Sequence, residues 1–159
     1  MTSERVVLIA PVGTVLIAEP TVESRVLTDD DLRDVAQLVV EASNGEHTLE
    51  QAQAKIGGLA AGSTGEPLRA AWLGVWQGPG LPVSAILCTT WRGMPFITTV
   101  ATALAVRERG YASSLVRDAA KVFENTGATH MGVTLDRESP AMHLFRELGF
   151  VEMFSTADA

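Results

Sequence analysis

The chain has one cysteine, Cys88, among its 159 residues. No disulfide can close within it, which fits a reducing cytosolic compartment. Metal-binding spacings of cysteine and histidine are also missing, since His47, His130 and His143 stand far apart. No metal is expected. Positive charge is scarce. Twelve Lys and Arg face 19 Asp and Glu, a net charge of -7. Such a balance repels nucleic-acid phosphates and argues against that class of partner. It weakly favours a cationic acceptor such as an amine. No apolar run approaches the roughly 20 residues that cross a bilayer, so no membrane partner is expected. Residues 6–18 are apolar, but Pro11 and Gly13 interrupt them, and Glu4 and Arg5 cancel in charge. A secretory signal needs a positive start and an unbroken apolar segment. Neither Gly-x-x-x-x-Gly-Lys-Ser/Thr nor Gly-x-Gly-x-x-Gly occurs, so triphosphatase and dinucleotide readings lack their loops.

Apolar residues make up 47% of the chain, enough for a sizeable core in one domain. Residues 6–10 and 14–18 are β-prone runs around Pro11-Val12-Gly13 and read as an N-terminal arm or hairpin over residues 1–20. A single domain is expected over residues 21–159. It opens with a strand at 22–27. Thr28 then caps a helix to about residue 42, with Asp29, Asp30 and Asp31 placed well for its dipole. Thr48-Leu49-Glu50-Gln51 has capping-box spacing and opens a second helix. Strands are expected at 68–77, 82–91 and 96–106, forming a meander. A helix follows, ending at Gly127. Then come a strand at 130–135, a helix opened by Ser139-Pro140, and a last strand at 150–156. The order β-α-α-β-β-β-α-β-α-β predicts an α/β fold with helices covering a mixed, mostly antiparallel sheet.

The most informative stretch is Val106-Arg107-Glu108-Arg109-Gly110-Tyr111-Ala112-Ser113-Ser114-Leu115. A strand enters a loop with two arginines and a glycine, and a helix leaves it. The first turn of a helix has backbone N–H groups with no internal partner, and its dipole favours negative charge. Gly110 lets the backbone approach a ligand, and the arginines add fixed charge. This is the outline of a pyrophosphate cradle.

The same residues read Arg-x-x-Gly-x-Ala. They resemble the acyl-coenzyme A signature of the GNAT superfamily of N-acetyltransferases, Gln/Arg-x-x-Gly-x-Gly/Ala. Downstream, Leu144-Phe145-Arg146-Glu147-Leu148-Gly149-Phe150 resembles the family's Leu-Tyr-x-x-x-Gly-Phe. The resemblance runs from about residue 22 to 154 and is specific from Thr98 onward. It implies a GNAT-like twisted sheet and acetyl-coenzyme A as cosubstrate. Backbone groups of Leu104, Ala105 and Val106 would then hold the pantetheine arm where the strand splays. Arg107, Arg109, Gly110, Tyr111, Ala112 and Ser113 would hold the pyrophosphate, and Ser139 would contact the coenzyme.

Phe145 is the main departure. Many family members have tyrosine there to protonate the leaving thiolate, and phenylalanine has no proton to give. Either it packs in the core or it lies against the thioester, and the expectation is that Phe145 belongs to the coenzyme site, beside the thioester sulfur, without being the catalytic acid. His143, two residues away on a helix, faces elsewhere. No general base is evident. Glu46 and His47, in the loop between the first two helices, are candidates beside the reading of a solvated loop. Cys88 and the tryptophans Trp72, Trp76 and Trp91 read as core or site wall.

The expected function is N-acyltransfer from acetyl-coenzyme A to a primary amine of a small molecule or peptide, directly and without a covalent enzyme intermediate. The alternative is a non-catalytic acyl-coenzyme A-binding module of the same fold. Many family members have one further strand after the last one expected here. The arm is therefore expected to pack on the domain's own sheet or on a second copy in a homodimer.

Overall fold

The computed structural model of the chain describes residues 4–155. Seven strands form one sheet: β1 (Arg5–Pro11), β2 (Arg25–Val26), β3 (Leu73–Val75), β4 (Ser84–Trp91), β5 (Met94–Thr102), β6 (His130–Asp136) and β7 (Val151–Ser155). Their order across the sheet is β2-β3-β4-β5-β6-β1-β7. The helices are a single turn, α1 (Val12–Val15), then α2 (Leu32–Ala42), α3 (Leu49–Ala60), α4 (Tyr111–Asn125) and α5 (Ala141–Glu147). None of the described helices is long and apolar enough to cross a membrane.

Strands β3 to β5 form the expected antiparallel meander, and β2 pairs antiparallel with β3 at its edge. The β5–β6 pair is parallel, and β1 is antiparallel to both its neighbours. β1 lies between β6 and β7, so the strand nearest the C-terminus is separated from β6 by one from the other end of the chain. Its alternation explains the insertion. Val6, Leu8 and Ala10 point into the core, and the whole strand from Arg5 to Pro11 pairs with β6.

The second β-prone run, residues 14–18, is not a strand. Pro11 lacks an N–H and ends the ladder. Val12 N–H then bonds Thr129 O at 2.9 Å, Leu16 N–H bonds Val12 O, and Val12 and Val15 are buried. Other expected strands are shorter than their apolar runs. Over 22–27, only Arg25–Val26 is paired, because the N–H groups of Thr21 and Val22 bond the Ser114 hydroxyl instead. Over 68–77, a 3-10 turn at Arg69–Ala71 precedes β3. The strand expected at 96–106 ends at Thr102. Ala103 N–H still bonds Val83 O, but Leu104–Val106 then form a 3-10 turn. The last strand reaches Ser155, and Thr156 lies outside the described residues.

Two apolar layers sandwich the sheet. On one face α4 and α5 pack Leu115, Phe123 and Phe145 against Leu8, Ile86, Ile97 and Val133. On the other, α2 and α3 pack Val35, Leu38, Ile56 and Leu59 against Trp72, Ala85, Leu87 and Ala101. Local signals set the helix starts. Thr48 Oγ1 accepts from Gln51 N–H, and Gln51 Oε1 from Thr48 N–H, completing the capping box of α3. Asp31 accepts from Thr28 N–H at 2.7 Å and is gripped by both terminal nitrogens of Arg25. That guanidinium in turn lies 3.8 Å from the Trp76 ring centroid.

Candidate active site

β5 and β6 are paired only at Phe96↔Gly132 and Ile97↔Val133. Beyond them β5 continues to Thr102 without a partner on that side, and the sheet opens into a V. A strand edge without a neighbour presents unpaired N–H and C=O groups. A β-bulge falls at the same place. Leu87 faces Thr99 and Cys88 faces Ile97, which leaves Thr98 as the extra residue. Bulges bend a strand and re-aim its groups. Thr98 Oγ1 donates to Leu87 O at 3.0 Å, which fixes the bulge.

From the V the chain passes through the arginine loop into α4. Gly110 precedes the helix at φ +84°, a left-handed conformation that a side chain rarely adopts, and Glu108 lies at φ +64°. Ser114 N–H makes the first α-helical bond, to Gly110 O. The N–H groups of Tyr111, Ala112 and Ser113 therefore begin a 15-residue helix with no carbonyl one turn behind them. The buried Ser114 hydroxyl anchors this end. It accepts from Thr21 and Val22 N–H, both at 3.1 Å. Arg109 is exposed beside the turn, and Ser113 is half-buried on it.

Some expected contributors sit differently. Arg107 turns away from the helix start, donating to Ala42 O at 2.6 Å and to Thr102 O at 3.3 Å. It ties the end of β5 to α2. Leu104, Ala105 and Val106 are not a splayed strand. Their 3-10 turn spends Val106 N–H on Ala103 O, and the Val106 side chain is buried. The strand-like edge toward the V thus lies earlier, from Thr98 to Thr102. Tyr111 is half-buried, and its hydroxyl accepts from Gln77 Nε2.

Phe145 is fully buried in the core on the α4–α5 face, with its ring edge-on to Phe150 at 5.0 Å. Of the two expectations, the core position is the observed one. The ring exposes no surface to a thioester. His143 faces solvent on the other side of α5, paired with Glu147 at 2.9 Å. Ser139 Oγ accepts from Ala141 N–H, acting as a helix cap. Glu46 and His47 are both exposed in the α2–α3 loop, and neither lines the opening of the sheet. Cys88 is fully buried, and burial pushes its thiol well above its usual range, so it is no nucleophile. Trp72 is core, with Nε1 donating to Cys88 O at 2.7 Å. Trp91 stacks beside Phe96 and Phe154.

A cleft of about 450 Å³ opens on the α3 face at the point where β5 and β6 part. Phe96, Ile97, Thr98 and Thr134 line it from the sheet. Lys55, Gly58 and Leu59 of α3, Ser63 and Thr64 of the following loop, and Arg5 of β1 complete it. Arg5 pairs with Asp136 at 3.2 Å. Partial burial, and then the nearby Arg5, hold the Lys55 amine below its ordinary value. Sequence reasoning found none of these α3 and β1 residues. The one local oddity was the Gly57-Gly58 pair inside a helix.

A bulged strand parting from a parallel neighbour and leading into a glycine-started helix defines the GNAT fold, and the chain is a member of that superfamily. The family model described as FR47-like protein matches residues 73–157, more than half of the chain, and the chain belongs to that family. A GCN5-related N-acetyltransferase from Sphaerobacter thermophilus aligns at TM-score 0.70 and 19% identity over 96% of this chain. A GNAT-family acetyltransferase from Colwellia psychrerythraea aligns at TM-score 0.72 and 12% identity over 95%. The chain spans about half of each, 49% and 53% respectively. An aminoglycoside 6'-N-acetyltransferase from Acinetobacter haemolyticus aligns at TM-score 0.61 and 17% identity, over 83% of this chain and 92% of its own. No curated protein sequence matches.

Proposed function

We propose that the chain is an N-acyltransferase that moves an acetyl group from acetyl-coenzyme A to a primary amine by direct transfer. The observation that carries this reading is the continuity of the V at Thr98 with the free first turn of α4. The residues fit the cosubstrate. A pyrophosphate suits the N–H groups of Tyr111, Ala112 and Ser113, with Arg109 alongside and no Cβ at Gly110. The extended pantetheine arm suits the unpaired edge of β5, in the manner of an added strand. When bound, acetyl-coenzyme A supplies an acyl carbon for the amine nitrogen and a thiolate that departs with the C–S electron pair.

The chain's own contribution is positioning. The Thr98 bulge aims backbone N–H groups into the V, where they would polarise an acyl carbonyl. The α3-face cleft meets the same point from the other side of the sheet, so acceptor and donor would reach it from opposite faces. Water receives the nitrogen's proton in this reading, since neither Glu46 nor His47 lines the cleft. Water also protonates the thiolate, since Phe145 has no hydroxyl.

The buried Phe145 favours one second reading, an acyl-coenzyme A-binding module without turnover. Titration calorimetry with coenzyme A, followed by thiol release across a panel of amines, tests both. Micromolar binding with amine-dependent release supports the enzyme. Binding with no release from any amine supports the module, and no binding removes both.

A further inference from the structure

The α3-face cleft contradicts the charge of the chain that builds it. Against a net charge of -7, its lining holds two cations, Arg5 and Lys55, and no carboxylate among the described residues. Asp136 is engaged by Arg5 from outside the lining. Lys55 has no hydrogen bond or ion pair among the described residues, although Arg5 is close enough to perturb it. Both side chains are exposed, so solvent screens part of their repulsion, and a bound anion would remove the rest.

The polar groups around the pair have the same sense. Thr64 and Thr134 contribute hydroxyl donors, and the Thr98 and Ser63 hydroxyls are already turned toward backbone carbonyls. Leu59, Phe96 and Ile97 supply an apolar wall that reaches the last paired residue of the V. Two cations and the Thr64 and Thr134 hydroxyls, with no carboxylate among the described lining residues and an apolar wall beside them, match a small ligand with an anionic head.

We infer that the acceptor amine also carries an anionic group, a carboxylate or a phosphate, seated in the α3-face cleft and held by Lys55 with Arg5. This rests on the transferase reading above and names the acceptor's class. The anion anchors one end of the acceptor, and its amine extends toward Thr98. The two cations also disfavour an ammonium nearby, so the acceptor nitrogen sits there neutral and nucleophilic. Lys55 and Arg5 are binding residues in this arrangement and take no part in proton transfer.

The test compares matched acceptors that differ only in the anion. Each of the common amino acids is set against its amide, and phosphoethanolamine against ethanolamine, with coenzyme A release as readout. At least one charged member should exceed its neutral partner by about tenfold or more in kcat/KM, the size expected of hydrogen bonds to a charged group. The amino-acid arm and the phosphate arm distinguish the two anions. Lys55→Gln should raise KM for that acceptor about tenfold, leave the KM for acetyl-coenzyme A unchanged, and erase the preference. Lys55→Arg should restore it. Neutral amines turned over as fast as their charged partners would overturn the inference and leave the transferase reading intact. So would a preference that survives Lys55→Gln. A chain that fails to bind coenzyme A in calorimetry overturns the transferase reading, and the inference falls with it.

Discussion

Ile97 and Val133 are the last facing residues of β5 and β6. Each side chain belongs to the α4–α5 core, so the pair closes the sheet firmly at one point. One residue further, the bulge at Thr98 turns β5 away. The candidate site therefore lies where a well-packed parallel pair stops.

The helix start can be tested apart from stability. Ser113→Asp places a carboxylate in the first turn of α4, where it suits the dipole. Stability should hold or rise by about 0.3–1 kcal/mol. The same carboxylate should compete with a pyrophosphate, lowering coenzyme A affinity about tenfold or more. Thermal unfolding and calorimetry on one sample read both. Unchanged affinity would move the cradle elsewhere.

Phe145 should behave as a core residue. Phe145→Ala should cost about 3–5 kcal/mol, as for other buried aromatics. Phe145→Tyr inserts a hydroxyl among apolar groups and should destabilise by about 1–3 kcal/mol, without faster turnover. Denaturant unfolding and steady-state kinetics check this pair. A tyrosine variant with raised kcat and undiminished stability would show that the ring reaches the acyl group.

β1 should be indispensable. Removing residues 1–19 takes out a strand paired on both edges and its buried Val6, Leu8 and Ala10. The truncated chain should lose its cooperative unfolding transition. The milder Leu8→Ala should cost about 2–5 kcal/mol. A truncated protein melting at the original temperature would mean that β1 contributes nothing.

Asp31 should make stability depend on acid. Its hydrogen bonds from Arg25, and then from Thr28, hold its carboxyl well below the usual carboxylate range. A depressed folded value stabilises above the unfolded value of about 4 and is lost as pH falls below it. Wild type should lose stability relative to Asp31→Asn as pH falls below about 4. At neutral pH, Asp31→Ala should cost about 1 kcal/mol, since Arg25 is half exposed and screened. Urea midpoints at pH 7 and pH 3 measure the difference.

Much of this was legible in local sequence. The Thr48–Gln51 capping box, the Gly110 start and the apolar faces of α2 and α4 each depend on residues within a few turns of one another. Strand ends were not legible, because they depend on what lies alongside. Residues 103–106 are as apolar as a strand, yet β4 begins at Ser84 and offers no further partner beyond Val83. The interior place of β1 follows from β6 and β7, more than a hundred residues away. Arg5 and Lys55 carry no motif, and only the fold sets them around one cleft.

The insertion of β1 also orders events in time. Leu8 must face Val133, so β1 has no neighbours in the sheet until β6, more than a hundred residues later, has been made. Contacts so distant in sequence close slowly. Until then an apolar β segment waits unpaired, exposed to chaperones and to other nascent chains. Because Arg5 lines the cleft, that closing step also completes the cleft, so the proposed acceptor pocket would form only after the first turn of α4 has been made.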